Sequence, residues 1–564
     1  MDLRVPDTRA AAGAGQPDRL LRPGDTCWRV ETAPRVALLV DAERYFDALY
    51  EAMGRARHTI RIIGWDFDPR IRLRPDRPKG EGGETIEETF LRLLEANPDL
   101  SIQVLYWDMA LPIAAQRPMV PLVVRDWLTP GRLAYRADSN HALGGTHHQK
   151  IVVIDDALAF CGGMDMAADR WDTDGHLDDD PRRVEPGGRP FEPHHDVMMM
   201  VDGAAAGALA DLWRERWRRG TGEVLQPTPA GSDPWPPSVE PYLRDVPVAV
   251  ARTEPGLPGY EEVREIERLH IEAILSAKRS IYIENQYFAC TPVGLALARR
   301  LREPDGPEVL VVCPVHSPSY FDHAVMDPTR DRLIRHLRKN DRHGRFRALA
   351  PRTEGGGPII VHSKVTIVDG RLLRIGSANL NNRSMGFDTE CDLAIEAVGP
   401  DAEALSRRIL AFRNRLIAEH LGLRPEVLAR EIRRHGSMIA AVDALVRPKG
   451  RSLRPLATRE LDTFARLLVD WAATDPYRSI TAHLRRRQVN LPFGTTAAAA
   501  MLLVGGGLVL AAALGARRGA ETPRGGRGHA SRTPRGAARP VTREPQRQPA
   551  RQPARHASEG PRRP

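Results

Sequence analysis

Cysteine is scarce in this 564-residue chain, and what there is lies dispersed. The cysteines number five, an odd total, and no two of them form a CxxC pair. That pattern argues against a disulfide framework and against a cysteine-based zinc site. A reducing compartment is the simpler interpretation. The five residues are Cys27, Cys161, Cys290, Cys313 and Cys391.

Lysine is equally scarce, because only six of the 82 basic residues are lysines. Arginine is the default cation of the chain, so a lysine at a chemically meaningful spacing is informative. The six are Lys79, Lys150, Lys278, Lys339, Lys364 and Lys449.

Net positive charge is missing from most of the chain although the overall net charge is +9. Residues 517–564 contain 13 Arg and three Glu, a balance of +10, which leaves −1 for the remainder. This Arg/Pro-rich tail has no aromatic residue and is predicted to be disordered. The near-neutral body disfavours a nucleic-acid groove, so no stable nucleic-acid partner is expected.

The N-terminal region lacks the apolar segment of a secretory signal, and residues 1–33 are predicted to be a polar leader. Near the other end, residues 495–516 contain no charged side chain. As a helix this segment would measure about 33 Å, enough to cross a bilayer. We therefore predict a membrane-associated protein with a single C-terminal span and its catalytic body in the cytoplasm. An Ala/Gly-rich core helix is the alternative.

Strand-like and helical segments alternate from about residue 37, which is typical of an α/β fold. A Pro-rich stretch without periodicity interrupts this order, and the same order then recurs. The predicted divisions are a first half at 34–221, a linker at 222–244, a second half at 245–425 and a helical extension at 426–490.

One motif occurs twice, with its histidines 214 residues apart. HHQKIVVIDDALAFCGG contains His148, Lys150 and Asp155, and HSKVTIVDGRLLRIGSAN contains His362, Lys364 and Asp369. Both follow H-x-K-x4-D-x6-G-G/S. Two of the six lysines thus occupy equivalent positions in a repeated pattern. For one copy alone, a core histidine beside a surface lysine would be the better interpretation.

The spacing of each motif predicts a phosphate site. Residues two apart on a strand point to the same face, so each histidine projects beside its lysine. The aspartates fall at strand ends, and Asp369–Gly370 is a hairpin signal. The returning strands end in Gly-Gly or Gly-Ser, where Gly163, Ser377 and Asn379 could supply donors to a phosphate.

These paired motifs resemble the two signatures of the phospholipase D superfamily, over about residues 37–420. The segments GGMDMAADRWDT, PHHDVMMMV, IYIENQYF and GSANLNNRSMGFDTECDLAI are similar to those of true phospholipase D enzymes rather than to the short nucleases. The resemblance implies a pseudo-twofold pair of α/β/α domains that share one interfacial active site, followed by C-terminal helices.

The resemblance also implies roles for the motif residues. His148 would attack phosphorus to form a phosphohistidine, and His362 would protonate the leaving alcohol. Lys150 and Lys364 would hold the non-bridging oxygens. The motif aspartates Asp155 and Asp369 complete the signature but are expected to be structural rather than catalytic.

Two further acidic residues are implicated by resemblance. Asp196 and Glu390 are candidates to bind the far nitrogens of the two imidazoles, although Asp388 and Asp392 flank Glu390. His147 precedes His148 and His194 precedes His195, and these extra imidazoles are interpreted as packed or solvated side chains. The segment IENQYF gives no role by itself.

The resemblance therefore implies hydrolysis of a glycerophospholipid such as phosphatidylcholine to phosphatidic acid and an alcohol, with transfer to other alcohols by the same chemistry. No cofactor and no metal are expected, because the lysines supply the positive charge. The expected partners are the phospholipid substrate and the membrane, and the residues indicate no oligomeric state. The alternatives are a cardiolipin synthase-like phosphatidyltransferase, a nuclease of the superfamily and a non-catalytic membrane scaffold.

Overall fold

The computed structural model describes residues 19–108, 131–317, 320–459 and 475–476. For residues 320–325 it describes the backbone alone. Eighteen strands and nine helices lie in these ranges. The first part contains β1 Arg29–Val40, α1 Asp41–Gly54, β2 Thr59–Gly64, α2 Ile86–Ala96, β3 Ser101–Trp107, β4 Leu133–Asp138, β5 Ile151–Ile154, β6 Leu158–Gly162, β7 His194–His195, β8 Val197–Asp202 and α3 Gly203–Thr221.

After α3, residues 223–242 form neither helix nor strand before the order resumes. The second part contains β9 Leu243–Glu254, β10 Val263–Arg264, α4 Glu265–Ser276, β11 Ser280–Glu284, α5 Thr291–Arg302, β12 Glu308–Val312, α6 Tyr320–Asn340, β13 Phe346–Arg352, β14 Ile360–Val361, β15 Val365–Val368, β16 Leu372–Gly376, β17 Glu390–Glu396, α7 Ala402–His420, α8 Pro425–His435, α9 Met438–Leu445 and β18 Ser452–Pro455.

Sixteen strands form one large mixed sheet, so the predicted α/β class is confirmed. The order is β18-β13-β12-β11-β15-β16-β17-β9-β1-β8-β6-β5-β2-β3-β4, with β10 paired to β9. From β1 outward there are four antiparallel and then two parallel pairings. From β9 outward the same series of pairings occurs.

Burial explains why the central strands read as continuous apolar runs. Every residue of β5 and of β15 is buried, as expected for strands covered on both faces. One core packs α3 and α7 against strands of both parts of the chain. Separate cores lie beneath α1 and α2 and beneath α4 and α5.

The hairpin signal in the second motif corresponds to a tight turn between β15 and β16. Asp369 and Gly370 both have positive φ, 57° and 71°. In the first motif Asp155 and Asp156 occupy the equivalent turn, with φ of 52° and 53°. Aspartate and glycine tolerate this left-handed backbone, so the turn returns each strand beside its motif.

The prediction of a single C-terminal membrane span is wrong by the present structure. Within the ranges described above, no helix combines the length and the apolar character needed to cross a bilayer. The segment from which the span was predicted, 495–516, lies outside the described residues. The membrane location that we predicted from this span is therefore not supported either.

Candidate active site

The two H-x-K pairs occupy equivalent places, immediately before β5 and β15. All four side chains are largely buried. The exposed fraction is 14% for His148 and 7% for His362, and it is 2% or less for Lys150 and Lys364. Only the imidazoles keep an appreciable exposed surface, as reacting groups must.

His148 is held by residues from the other part of the chain. Its backbone N–H donates to the carbonyl of Thr389 at 2.9 Å. Its ring Nδ1 lies 3.0 Å from both carboxylate oxygens of Glu390, the first residue of β17. This contact occupies Nδ1 and leaves Nε2 for chemistry.

His362 has the reciprocal arrangement. Its backbone N–H donates to the carbonyl of His195 at 2.8 Å, and its Nδ1 lies 2.7 Å from Asp196 Oδ2. Each motif imidazole is therefore oriented by a carboxylate that belongs to the other half of the repeated sequence, and the two motifs are brought to one place.

The motif lysines are fixed by residues that sequence reasoning missed. Lys150 Nζ lies 3.0 Å from Asp165 Oδ2, and Lys364 Nζ donates to Gln286 Oε1 at 3.1 Å. Asp165 stands 214 residues before Asn379, so the repeat offset could have identified it. Gln286 lies in the IENQYF segment, whose role had no sequence signal.

The imidazoles share a positively charged, desolvated environment. Burial, together with the Lys150 and Lys364 ammonium groups, lowers the pKa of His148 well below its ordinary value. Burial and Lys364 likewise lower the pKa of His362. Both lysines lower the pKa of each histidine, so the two motifs share one electrostatic environment. A bound phosphodiester anion would offset this charge.

The carboxyl groups behind the imidazoles are also perturbed by burial. It raises the pKa of Glu390 to about 8, and that of Asp196 to about 6. Burial therefore disfavours negative charge on these two carboxyl groups, as it disfavours positive charge on the two imidazoles. The lowered pKa of His148 favours the neutral form of that ring, which a nucleophile requires.

The motif aspartates lie away from the imidazoles. The four residues of β5 separate Lys150 from Asp155, about 13 Å of strand. The Asp155 carboxylate accepts three backbone N–H bonds, each 2.8 Å long, from residues 57–59. Asp369 does the same for residues 278–280, at 2.6–2.8 Å. Both aspartates anchor the start of a neighbouring strand.

Asp369→Ala is expected to lower the free energy of unfolding by about 2 kcal/mol, because three N–H groups lose a charged acceptor. Asp369→Asn should cost less, since asparagine keeps one acceptor oxygen and tolerates positive φ. Urea denaturation measures both variants. A large loss of turnover per folded molecule in Asp369→Asn would show that this carboxylate acts in the reaction.

The strand ends after each motif serve to position the carboxylates rather than to present backbone donors. The N–H of Gly163 donates to the carbonyl of Val197, and that of Ser377 to Cys391. A Cβ on Gly163 would overlap the Asp196 carboxylate. The Ser377 hydroxyl donates to Glu390 Oε2 at 2.5 Å. The N–H of Gly163 and the hydroxyl of Ser377, both expected to face the phosphate, thus have protein partners in this structure.

Asn379 differs from these two residues. Its side chain is buried, and its Oδ1 has no hydrogen-bond partner among the described residues. His147 is packed, with Nδ1 3.0 Å from Thr389 Oγ1, and burial lowers its pKa to about 4. His194 is buried with its ring centroid 5.3 Å from that of His362.

Comparison with known proteins gives a consistent family. A profile described as "Cardiolipin synthase, PLD-like domain" matches residues 270–410. The chain is 25% identical to phospholipase D alpha 1 of Vigna unguiculata, over 68% of this chain and 64% of that protein. It is 26% identical to phospholipase D A of Dictyostelium discoideum, over 70% of this chain and 36% of that protein.

The matches thus cover less than two-thirds of each of these relatives' length. Among solved structures, phosphatidylserine synthase of Haemophilus influenzae matches 73% of this chain and 95% of its own, with a TM-score of 0.48 and 14% identity. With two H-x-K-x4-D motifs at one site and phospholipase D enzymes among its relatives, the chain is a phospholipase D superfamily protein that resembles the true phospholipases D.

Proposed function

We propose that the protein is a phospholipase D-type phosphodiesterase that converts glycerophospholipids such as phosphatidylcholine to phosphatidic acid and an alcohol. The observation that carries this proposal is the reciprocal pairing of His148 with Glu390 and of His362 with Asp196. Each carboxylate fixes Nδ1 of its imidazole, so both rings can use Nε2 at a single phosphorus.

In the first step, His148 Nε2 attacks phosphorus while the bond from phosphorus to the leaving oxygen breaks. The bound phosphodiester anion raises the pKa of His362 relative to the free site, and the protonated ring gives the proton from its Nε2 to that oxygen as the alcohol departs. In the second step water attacks the phosphohistidine, its proton passes to His362, and the P–N bond breaks. An alcohol in place of water gives a new phosphatidyl ester.

Lys150 and Lys364 would bind the non-bridging oxygens, where negative charge accumulates during phosphoryl transfer. Both ammonium groups are buried and already fixed by Asp165 and Gln286, so little reorganisation is needed when the substrate arrives. In the second copy of the motif, Asn379 occupies the position that Asp165 has in the first copy. Its buried Oδ1 has no partner among the described residues. We assign it a polar contact to the substrate or to the attacking water.

We further propose that the halves 34–221 and 245–425 are related by a pseudo-twofold axis, with 222–244 as their linker and 426–490 as an extension. The identical series of strand pairings outward from β1 and from β9 supports this arrangement. The exchange of carboxylates between the halves supports one shared site rather than two.

The direct test is to incubate the full-length chain with phosphatidylcholine vesicles and ethanol and to resolve the products by mass. Phosphatidic acid and phosphatidylethanol are the expected products. Vesicles of phosphatidylglycerol test the second candidate, a phosphatidyltransferase, which is favoured by the description of the matching profile. Formation of cardiolipin without phosphatidic acid would select that candidate, and absence of any lipid product would refute the proposal.

The pH dependence of kcat/KM should have its acid limb below pH 6.5. His148 has a lowered pKa, so its imidazole stays neutral until the pH falls below the ordinary histidine value. Burial lowers the pKa of Lys364 to about 7, so activity should also fall as the pH rises through about 7 and the ammonium charge is lost. Initial rates on a soluble short-chain phosphatidylcholine measure both limbs. Constant activity up to pH 9 would contradict the assigned role of Lys364.

A further inference from the structure

Four buried side chains from distant parts of the sequence meet beside the active site. Asp41 begins α1, His176 lies in the loop between β6 and β7, His195 ends β7, and Glu419 is the penultimate residue of α7. The exposed fraction of their side chains is 1% or less for the first three and 8% for Glu419. We call these four residues the histidine-carboxylate cluster.

The inward atoms of this cluster converge on one point at ion-pair distances from each other. His195 Nδ1 lies 2.9 Å from Asp41 Oδ1 and 3.0 Å from Glu419 Oε1. His176 Nε2 lies 3.7 Å from Asp41 Oδ2 and 3.5 Å from Glu419 Oε1. Among the described residues, none of these nitrogen and oxygen atoms has a hydrogen-bond partner. One ligand atom from each residue lies within 4.8 Å of all the others.

The outward nitrogens of both histidines do have partners, and both partners are carboxylates. His176 Nδ1 lies 2.8 Å from Asp172 Oδ2, and His195 Nε2 lies 3.2 Å from Glu284 Oε2. Asp172 is itself paired with Arg183 at 3.2 Å, and Glu284 accepts a bond from the Ser363 hydroxyl at 2.7 Å. Metal-binding histidines in proteins are held in this way, because the carboxylate fixes the tautomer that turns a lone pair inward.

Charge gives a third argument. Two buried carboxylates without compensation are strongly unfavourable, so the cluster needs positive charge. Protonated imidazoles at these ion-pair distances would supply it in the absence of an ion. A divalent cation balances the two carboxylates and gives all four inward atoms a common partner.

We propose that Asp41, His176, His195 and Glu419 bind one divalent transition-metal ion. Two imidazole nitrogens and two carboxylate oxygens suit tetrahedral Zn²⁺, whereas Ca²⁺ and Mg²⁺ prefer sites made of oxygen alone. All four positions are filled by protein and closed to solvent, so the ion is structural.

The position of the ion explains what it stabilises. It joins the start of α1 and strand β7 to the end of α7, and so connects both parts of the chain. The N–H of Asp41 donates to the carbonyl of Asp196 at 2.8 Å, and the carbonyl of His195 accepts from the N–H of His362. The ion thus fixes the backbone that positions the second imidazole and its carboxylate, and it takes part in no bond-making step.

Metal content of the full-length chain tests this proposal without any assay of lipid cleavage. After removal of metal and reconstitution with Zn²⁺ alone, we expect about one Zn²⁺ per chain. Co²⁺ in the same site should show the visible absorption of a tetrahedral ion. The double variant Asp41→Asn with Glu419→Gln should bind less than about a tenth of this amount, since the two anionic ligands become neutral.

The matched control is the double variant Asp202→Asn with Glu254→Gln, which alters a buried, arginine-paired carboxylate of each type outside the cluster. It should keep the full Zn²⁺ content. Failure of the unaltered chain to bind Zn²⁺ or Co²⁺, or equal binding by the cluster variant, would overturn the proposal and leave an ion-pair network only. If the double variant does not fold, Glu419→Gln alone must change the Co²⁺ spectrum, and an unchanged spectrum would also overturn it.

Discussion

Replacing His148 by alanine is expected to reduce turnover of phosphatidylcholine to near background, a loss of at least about 10²-fold to 10⁴-fold. The reason is that His148 is the part of the first motif that can act as the nucleophile. Its imidazole is 14% exposed, its pKa is lowered, and Glu390 holds its Nδ1. His362→Ala should cause a comparable loss, because the leaving alkoxide then has no acid.

Initial rates of choline release measure these losses, and His343→Ala is a matched control because that side chain is exposed outside the site. Reactions stopped by denaturation should carry the phosphatidyl label on His148. Label found on His362 alone would reverse the two roles. Retention of more than about a tenth of the activity by either alanine variant would exclude a mechanism that depends on two histidines.

Lys150→Arg is expected to reduce kcat/KM by about 10²-fold although the charge is retained. The Lys150 side chain is 2% exposed and its ammonium group is fixed between Asp165 and the carbonyl of His148. A planar guanidinium is larger and directs its donors differently, so it cannot replace a compact ammonium group in this space. The same substitution at Lys339, an exposed residue of α6, should leave kcat/KM unchanged.

Steady-state kinetics with the soluble substrate separates binding from chemistry in this variant. If Lys150 stabilises charge in the transition state, kcat falls together with kcat/KM. A rise in KM with kcat unchanged would mean that the lysine only binds the substrate. Normal kinetics in Lys150→Arg would show that the scarcity of lysine in this chain has no catalytic meaning.

Local sequence patterns determined the fold class, the paired motifs and the turns. Strands covered on both faces must be apolar throughout, so β5 and β15 could be located by their composition. The Asp369–Gly370 turn follows from the backbone angles that these residues tolerate. Each such inference concerns residues within a few positions of each other, where covalent geometry limits the alternatives.

The tertiary structure alone decided which side chains meet across the two parts of the chain. Glu390 is 242 residues from His148, and Asp196 is 166 residues from His362. Resemblance suggested these two partners, but neither periodicity nor spacing did. Gln286 and the four residues of the histidine-carboxylate cluster had no signal of any kind, because their spacing in the sequence is irregular.

The physical reason is that the pairing of β1 with β9 sets the distances between the two parts of the chain. Packing of the shared core determines this junction, and many side chains contribute to it without leaving a short pattern. The chemistry of each motif was therefore readable from the sequence. Whether two motifs make one site, which carboxylates orient them, and where further buried charge collects were determined only when the chain folded.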